Sequence, residues 1–209
     1  MKTPHYVIGV DEVGRGALAG PVVVAAVAVP RNFSFPHAPC PLRDSKRLSP
    51  AQRNAWNNYL YSCPRLLSAI SLSSATTIDK TNISKAANRA AHRAVARLLK
   101  NPKLAQGNYR IYLDGGLYLK NKQLQATFPA VTIPRGDEKI VAIKLASIAA
   151  KVFRDRMMQR LAKRAQDYCF AAHKGYGTAA HFAAIQRYGP LPKVHRLTFL
   201  KKYATISPH

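Results

Sequence analysis

The chain carries 209 residues, of which 33 are Lys or Arg and only 9 are Asp or Glu, giving a formal net charge of +24. Apolar segments run throughout and make up 47% of the residues, which excludes a disordered basic tail, and no apolar stretch reaches the roughly 18 uncharged residues of a membrane span. Cys40, Cys63 and Cys169 are widely spaced and odd in number, which excludes a disulfide framework or a paired-thiol metal site and suits a reducing, cytoplasmic setting. A balance this basic points to a polyanionic partner, nucleic acid first and an anionic membrane surface second.

In chain order, Tyr6 to Val10 is a β-rich run ending in Asp11-Glu12, followed by a Gly14-Arg15-Gly16 turn. Gly20-Pro21 opens a second strand over Val22 to Val29, and the two form a hairpin-like pair. Arg31 to Pro41 is a Pro-rich loop. Pro50 to Tyr61 reads as a helix with Ser49 as its cap, and Leu66 to Leu72 as a short strand. Asn82 to Lys100 is a helix whose Ile83, Ala86, Ala87, Ala90, Ala94 and Leu98 form one apolar stripe, with Lys85, Arg89, Arg93, Arg97 and Lys100 on a solvated opposite face.

Two more strands follow, Arg110 to Leu113 before Asp114-Gly115-Gly116, and Ala130 to Ile133 before Pro134-Arg135-Gly136-Asp137. A long helix is predicted from about Glu138 to Arg164, burying Ile140, Ile143, Ala146, Ala150, Phe153, Met157 and Leu161, and a last helix near Ala179 to Tyr188. The order reads as one α/β domain over residues 1–209, a mixed central sheet flanked by helices with a C-terminal helical extension from about residue 166.

In a chain that avoids acids, each retained acid matters. Asp11, Asp114 and Asp137 stand at predicted strand ends beside glycines, and Glu12 adjoins Asp11. Ligands of open α/β sheets gather at such ends. Each has an ordinary alternative: Asp11 and Asp114 are good turn formers, and Asp137 could cap the long helix. The Asp11-Glu12 pair weakens that alternative, because adjacent like charges repel unless a cation lies between them. Asp155, beside Arg154 and Arg156, reads as an ion-pair partner. If Asp11, Glu12, Asp114 and Asp137 converge, their all-oxygen donor set suits Mg2+ or Mn2+, and two such ions would support in-line attack on a phosphodiester. Two other readings stay open on this evidence: a non-catalytic basic nucleic-acid-binding module, and a DNA nuclease.

Several segments carry a family resemblance. Gly9-Val10-Asp11-Glu12-Val13-Gly14-Arg15-Gly16-Ala17-Leu18-Ala19-Gly20-Pro21-Val22 resembles the opening signature of ribonuclease HII. Asp44-Ser45-Lys46-Arg47-Leu48, Asp79-Lys80-Thr81-Asn82-Ile83, and Gly136-Asp137 followed by Ala146-Ser147-Ile148-Ala149-Ala150-Lys151-Val152-Phe153-Arg154-Asp155 resemble its later motifs. His173-Lys174-Gly175-Tyr176-Gly177-Thr178, His181 and His195-Arg196 resemble its C-terminal signature.

The resemblance implies a ribonuclease H-like fold. It implies metal-dependent cleavage of the RNA strand of RNA/DNA hybrids and of single ribonucleotides in duplex DNA, on the 5′ side, leaving a 3′-hydroxyl and a 5′-phosphate. It assigns Asp11, Glu12, Asp114 and Asp137 to catalysis and metal binding. Gly14, Arg15 and Gly16 fall on the loop that senses the 2′-hydroxyl, and Tyr176 on a tyrosine that stacks on the neighbouring sugar. Ser45, Lys46 and Lys174 join the substrate-binding set, so the C-terminal extension contributes to it. The expected state is a monomer, and Ile206-Ser207-Pro208-His209 shows no recognisable clamp-binding peptide. Gly116 departs from the family pattern, which has Asn at that point.

Overall fold

The computed structural model describes residues 5–104, 108–119 and 130–201; the C-terminal residues 206–209 lie outside them. Five strands, β1 (Tyr6–Val13), β2 (Val22–Pro30), β3 (Leu67–Ser73), β4 (Tyr109–Asp114) and β5 (Ala130–Ile133), form one mixed sheet in the order β3-β2-β1-β4-β5. β1 and β2 pair antiparallel from Tyr6↔Pro30 to Val13↔Val23, as the hairpin reading expected. β4 lies parallel to β1, but that pairing stops at Val10↔Leu113.

β2 is a run of Val and Ala because both of its faces are covered. Val22, Val24, Ala26 and Ala28 pack on helix α3 (Ile83–Leu98), whose alanine stripe lets it approach closely. Val23, Ala25, Val27 and Val29 pack on α1 (Pro50–Ser62) and the long helix through Trp56, Leu60, Ala142, Ala146 and Ala149. The expected cap of α1 is a reciprocal one: Ser49 Oγ accepts from Gln52 N–H while the Gln52 side chain accepts from Ser49 N–H. The basic face of α3 is exposed as expected, yet Arg93 and Arg97 fold back to donate to the carbonyls of Leu72 and Ile70 on β3.

Three features differ from the sequence expectation. A short helix α2 (Ala75–Thr81), capped by Ser74, was not anticipated, because Thr76, Thr77 and Ile78 favour strands. The long helix divides into α4 (Gly136–Lys139) and α5 (Val141–Arg164), with Ile140 extended between them. The predicted stripe of α5 holds through Ile143, Ala146 and Ala150, which are buried, but beyond them Arg154 and Met158 face inward, while Phe153 is exposed and Met157 and Leu161 are half-buried. Arg154, which the apolar stripe left out because it is charged, takes an inward position with no exposed surface.

Beyond α5 lie α6 (Phe170–His173), α7 (Ala179–Tyr188) and α8 (Leu197–Leu200). This extension clasps the 14–21 loop on two sides: Leu18 and Ala19 N–H donate to the Gly175 carbonyl, Gly20 N–H to Val194, and Arg196 N–H to Leu18. Asp79 anchors the far end by accepting from Leu197 and Thr198 N–H at 2.9 and 3.0 Å. Among the described residues no helix is long and apolar enough to cross a membrane.

Candidate active site

Asp11 and Glu12 lie inside β1 rather than beyond its end, but past the last pair with β4. The edge of β1 facing Asp114 is therefore open. Asp114 closes β4, and its Oδ1 accepts from Gly136 N–H at 2.7 Å, tying the end of the sheet to α4. An oxygen from each of Asp11, Glu12 and Asp114 lies within 4.8 Å of the other two. Asp137 is not a helix cap: Arg135, with φ +53°, occupies that position, and the Asp137 carboxylate is buried with Oδ2 3.6 Å from Lys46 Nζ. It stands outside the triad of acids yet lines the same cleft, of about 410 Å³, with Gly14, Arg15, Gly16, Ser45, Lys46 and Tyr176.

The cleft is electrostatically strained. Burial, then the neighbouring Glu12 and Asp114, push the Asp11 carboxyl well above its ordinary range, although Ser147 hydrogen-bonds it. Burial raises Glu12 as well, against the pull of Arg15, and burial together with Asp114 raises Asp137. Glu12 Oε2 is buried with no hydrogen-bond partner among the described residues. A buried carboxylate oxygen without a donor, among three converging acids, is what a hard divalent cation satisfies, so these residues fit such an ion.

The remaining expected residues divide. Ser45 is buried, its Oγ 2.8 Å from Ser147 Oγ, so it supports the partner of Asp11. The Lys46 side chain is largely exposed above Asp137. Arg15 braces Glu12: its Nη1 lies 3.3 Å from Glu12 Oε1 and donates to the Gly116 carbonyl at 3.1 Å, while Nη2 donates to Ser84 Oγ at 2.9 Å. A Cβ at Gly116 would sit 2.8 Å from Glu12 Oε1 and 3.2 Å from Arg15 Nη1, so glycine there leaves room for this brace. Tyr176 lines the cleft, with Arg154 Cζ 5.3 Å from its ring centroid. Lys174 does not line it; its ammonium donates to the Ala171 carbonyl.

Sequence reasoning passed over several residues that shape this region. Lys151 lines the cleft and pairs with Asp155 at 2.8 Å, replacing the expected Arg154 and Arg156 partners. Arg154 and Arg196 are fully buried. Burial, followed by repulsion from Arg154, lowers the Arg196 pKa to about 9. His181, His195 and His173 pack behind Tyr176, with His181 and His195 Nε2 atoms 3.1 Å apart and the His173 and His181 rings stacked at 4.3 Å. These residues stand in the segments that carry the family resemblance, which gave them no individual role.

Comparison with known proteins agrees with this geometry. A family model described as Ribonuclease HII matches residues 8–202. A ribonuclease HII of Synechococcus elongatus is 43% identical over 197 residues, covering 93% of this chain and 85% of the relative. The ribonuclease H2 crystal structure from Pyrococcus horikoshii superposes with a TM-score of 0.72 at 24% identity, covering 94% of this chain and 96% of that one. A Bst-RNase HIII structure in complex with Mn2+ does so at 0.66 and 18% identity, covering 98% and 70%. The mixed five-stranded sheet is thus a ribonuclease H-like fold, the enzyme is a ribonuclease H-type hydrolase, and the chain belongs to the ribonuclease HII family.

Proposed function

We propose that this enzyme cleaves the RNA strand of RNA/DNA hybrids, and duplex DNA at an embedded ribonucleotide, on the 5′ side, leaving a 3′-hydroxyl and a 5′-phosphate. The observation that carries the reading is the convergence of Asp11, Glu12 and Asp114 around the unpartnered Glu12 Oε2, in a cleft also lined by the Gly14–Gly16 loop and Tyr176. Asp11, Glu12, Asp114 and Asp137 are the catalytic, metal-holding set, for one or two Mg2+ or Mn2+ ions. When bound, such ions lower the pKa of a water and neutralise phosphate charge.

The chain's own groups do the rest. Arg15 and Ser147 hold the Glu12 and Asp11 carboxylates in place before substrate arrives. Lys46, exposed beside Asp137, meets a backbone phosphate, and Ser45 steadies its turn. The Gly14–Gly16 loop brings backbone close to the ribose, and the flat face of Tyr176 leaves no room for a second 2′-hydroxyl on the next sugar. Lys174 serves through its carbonyl, which Arg154 holds at 2.9 Å, rather than through its ammonium. In this reading residues 1–209 act as one catalytic domain and as a cytoplasmic monomer, the extension from residue 166 supplying Tyr176.

The test is denaturing-gel analysis of a labelled duplex carrying one ribonucleotide, with Mg2+, with Mn2+ and with EDTA. The expected result is a single cation-dependent cut 5′ to the ribonucleotide and none in the all-DNA duplex. Binding without cutting would leave only a nucleic-acid-binding module, and equal cutting of the all-DNA duplex would make this a DNA nuclease.

A further inference from the structure

Arg154 and Arg196 are completely buried, and among the described residues neither forms an ion pair. A buried cation without an acid needs hydrogen-bond acceptors around it. Here six backbone carbonyls supply one for each nitrogen of the two guanidinium groups. Arg154 donates to Pro21, Lys174 and Ala19 at 3.0, 2.9 and 3.0 Å. Arg196 donates to Gly20, Arg15 and Gly14 at 3.0, 2.9 and 2.7 Å. Two guanidinium forks thus grip the inner side of the 14–21 loop, and the Arg196 fork grips the part that lines the cleft.

The consequence follows from peptide geometry. The described peptide bonds are all trans, so each N–H points opposite to the carbonyl of its own peptide plane. With the Gly14 and Arg15 carbonyls drawn inward to Arg196, the N–H groups of Arg15 and Gly16 point outward, on the side where Gly14, Arg15 and Gly16 line the cleft. Neither N–H has a partner among the described residues. The positive φ of Gly14, +84°, permits the turn that presents them. Two adjacent unpartnered donors call for an oxygen acceptor, either a sugar hydroxyl or a phosphate oxygen.

We propose that Arg196 is a positioning residue for ribose recognition: without touching substrate, it fixes the loop so that the Arg15 and Gly16 amides meet the 2′-hydroxyl of the ribonucleotide. This rests on the reading above that the loop faces the ribose. Lysine cannot replace the fork, since one ammonium is a point donor and cannot span three carbonyls in a plane. Arg93 is the internal control: its guanidinium likewise makes three hydrogen bonds, to Ser71 Oγ, the Leu72 carbonyl and Ser73 Oγ at 3.1, 2.7 and 3.2 Å, and it does not line the cleft.

The experiment compares wild type, Arg196→Lys and Arg93→Lys, each assayed well below its own melting temperature. The readout is the inhibition constant of an all-DNA duplex divided by KM for the same duplex with one ribonucleotide. A general loosening moves both constants together and leaves the ratio unchanged. Arg196→Lys is expected to lower the ratio about tenfold, the worth of roughly one hydrogen bond, with Arg93→Lys close to wild type. Arg196→Gln is prepared alongside in case the lysine variant does not fold.

A wild-type ratio near one would refute the ribose-facing loop itself, and this inference with it. A wild-type preference that survives in Arg196→Lys would overturn the role of Arg196 alone. Equal weakening of both duplexes would mean that the amides meet phosphate instead, and an equal fall in Arg93→Lys would reduce the effect to the general loss of a guanidinium group. Each of these results is incompatible with the proposal.

Discussion

The histidine cluster behind Tyr176 makes stability depend on pH in a way that the structure sets in sign and size. Leu191 N–H donates to His195 Nδ1 at 2.8 Å, so the His195 proton sits on Nε2 and is given to His181 Nε2 at 3.1 Å. His181 therefore carries its own proton on Nδ1 and gives it to the Tyr176 carbonyl at 2.9 Å. His173 accepts from Gly175 N–H at 3.1 Å and donates to the Tyr168 carbonyl at 2.7 Å. The groups facing His195 are His181, His173 and the rings of Tyr168 and Phe170, and among the described residues no acid pairs with any of the three histidines. An added proton must land on a nitrogen that is already accepting, and breaks a bond.

Burial, reinforced by His181, accordingly lowers the His195 pKa from 6.5 to about 4. The unfolded chain then binds a proton that the folded chain refuses, so the contribution is intact above pH 6.5 and is lost as pH falls toward 4. Linkage gives a loss of about 2 kcal/mol by pH 5 and about 3 kcal/mol by pH 4. Urea unfolding in EDTA across this range, for wild type and His195→Gln, isolates the effect: the variant starts less stable, but its stability should fall with acid by about 2–3 kcal/mol less. Parallel pH curves for the two proteins would refute the neutral relay.

Three further outcomes are expected. Asp11→Asn should abolish cutting yet raise stability in EDTA at pH 7 by about 1 kcal/mol, because it removes a buried charge held beside Glu12 and Asp114; a variant that melts lower in EDTA would contradict this. The gain should vanish below the unfolded Asp pKa of roughly 4, where the wild-type carboxyl is protonated in both states. Gly9→Ala should cost about 3 kcal/mol, since a Cβ there would lie 2.2 Å from the backbone C of Ala142 and N of Ile143, whereas Gly16→Ala, with nothing within 4 Å, should melt near wild type. Binding of a hybrid duplex in EDTA should weaken about a thousandfold between roughly 50 and 200 mM salt if about six phosphates are neutralised, and a flat salt response would refute a broad electrostatic footprint.

How much of this was legible in the sequence depended on whether a residue obeyed the rule for its element. β2, α1, α3 and the strand pairing were readable because Val/Ala runs, a Ser-Pro start and an alanine stripe each agree with the fold around them. The acids were readable because scarcity made each one conspicuous. Arg154 and Arg196 were not, since nothing local tells a buried guanidinium from a surface one; five of their six partners are carbonyls of a loop more than a hundred residues earlier in the chain. The break at Ile140 was hidden for a related reason: Ile140 N–H closes α4 on the Gly136 carbonyl and its own carbonyl opens α5, so only tertiary placement marks the change of direction.

The charge imbalance gains a sharper meaning from where the cations stand. Of 33 Lys and Arg residues, among the described residues only Arg15 and Lys46 lie within ion-pairing distance of the four cleft acids. The two most buried guanidinium groups are spent on carbonyls instead of acids. Arg15 reaches Glu12 through Oε1 alone, and among the described residues Glu12 Oε2 stays bare. The negative centre is thus maintained against an excess of available positive charge. A phosphate drawn in by the basic surface meets repulsion at that centre unless cations from solution intervene. Affinity for the polyanion and competence to cut it are therefore separable properties: the first follows from the +24 surface, the second only from filling the carboxylate site.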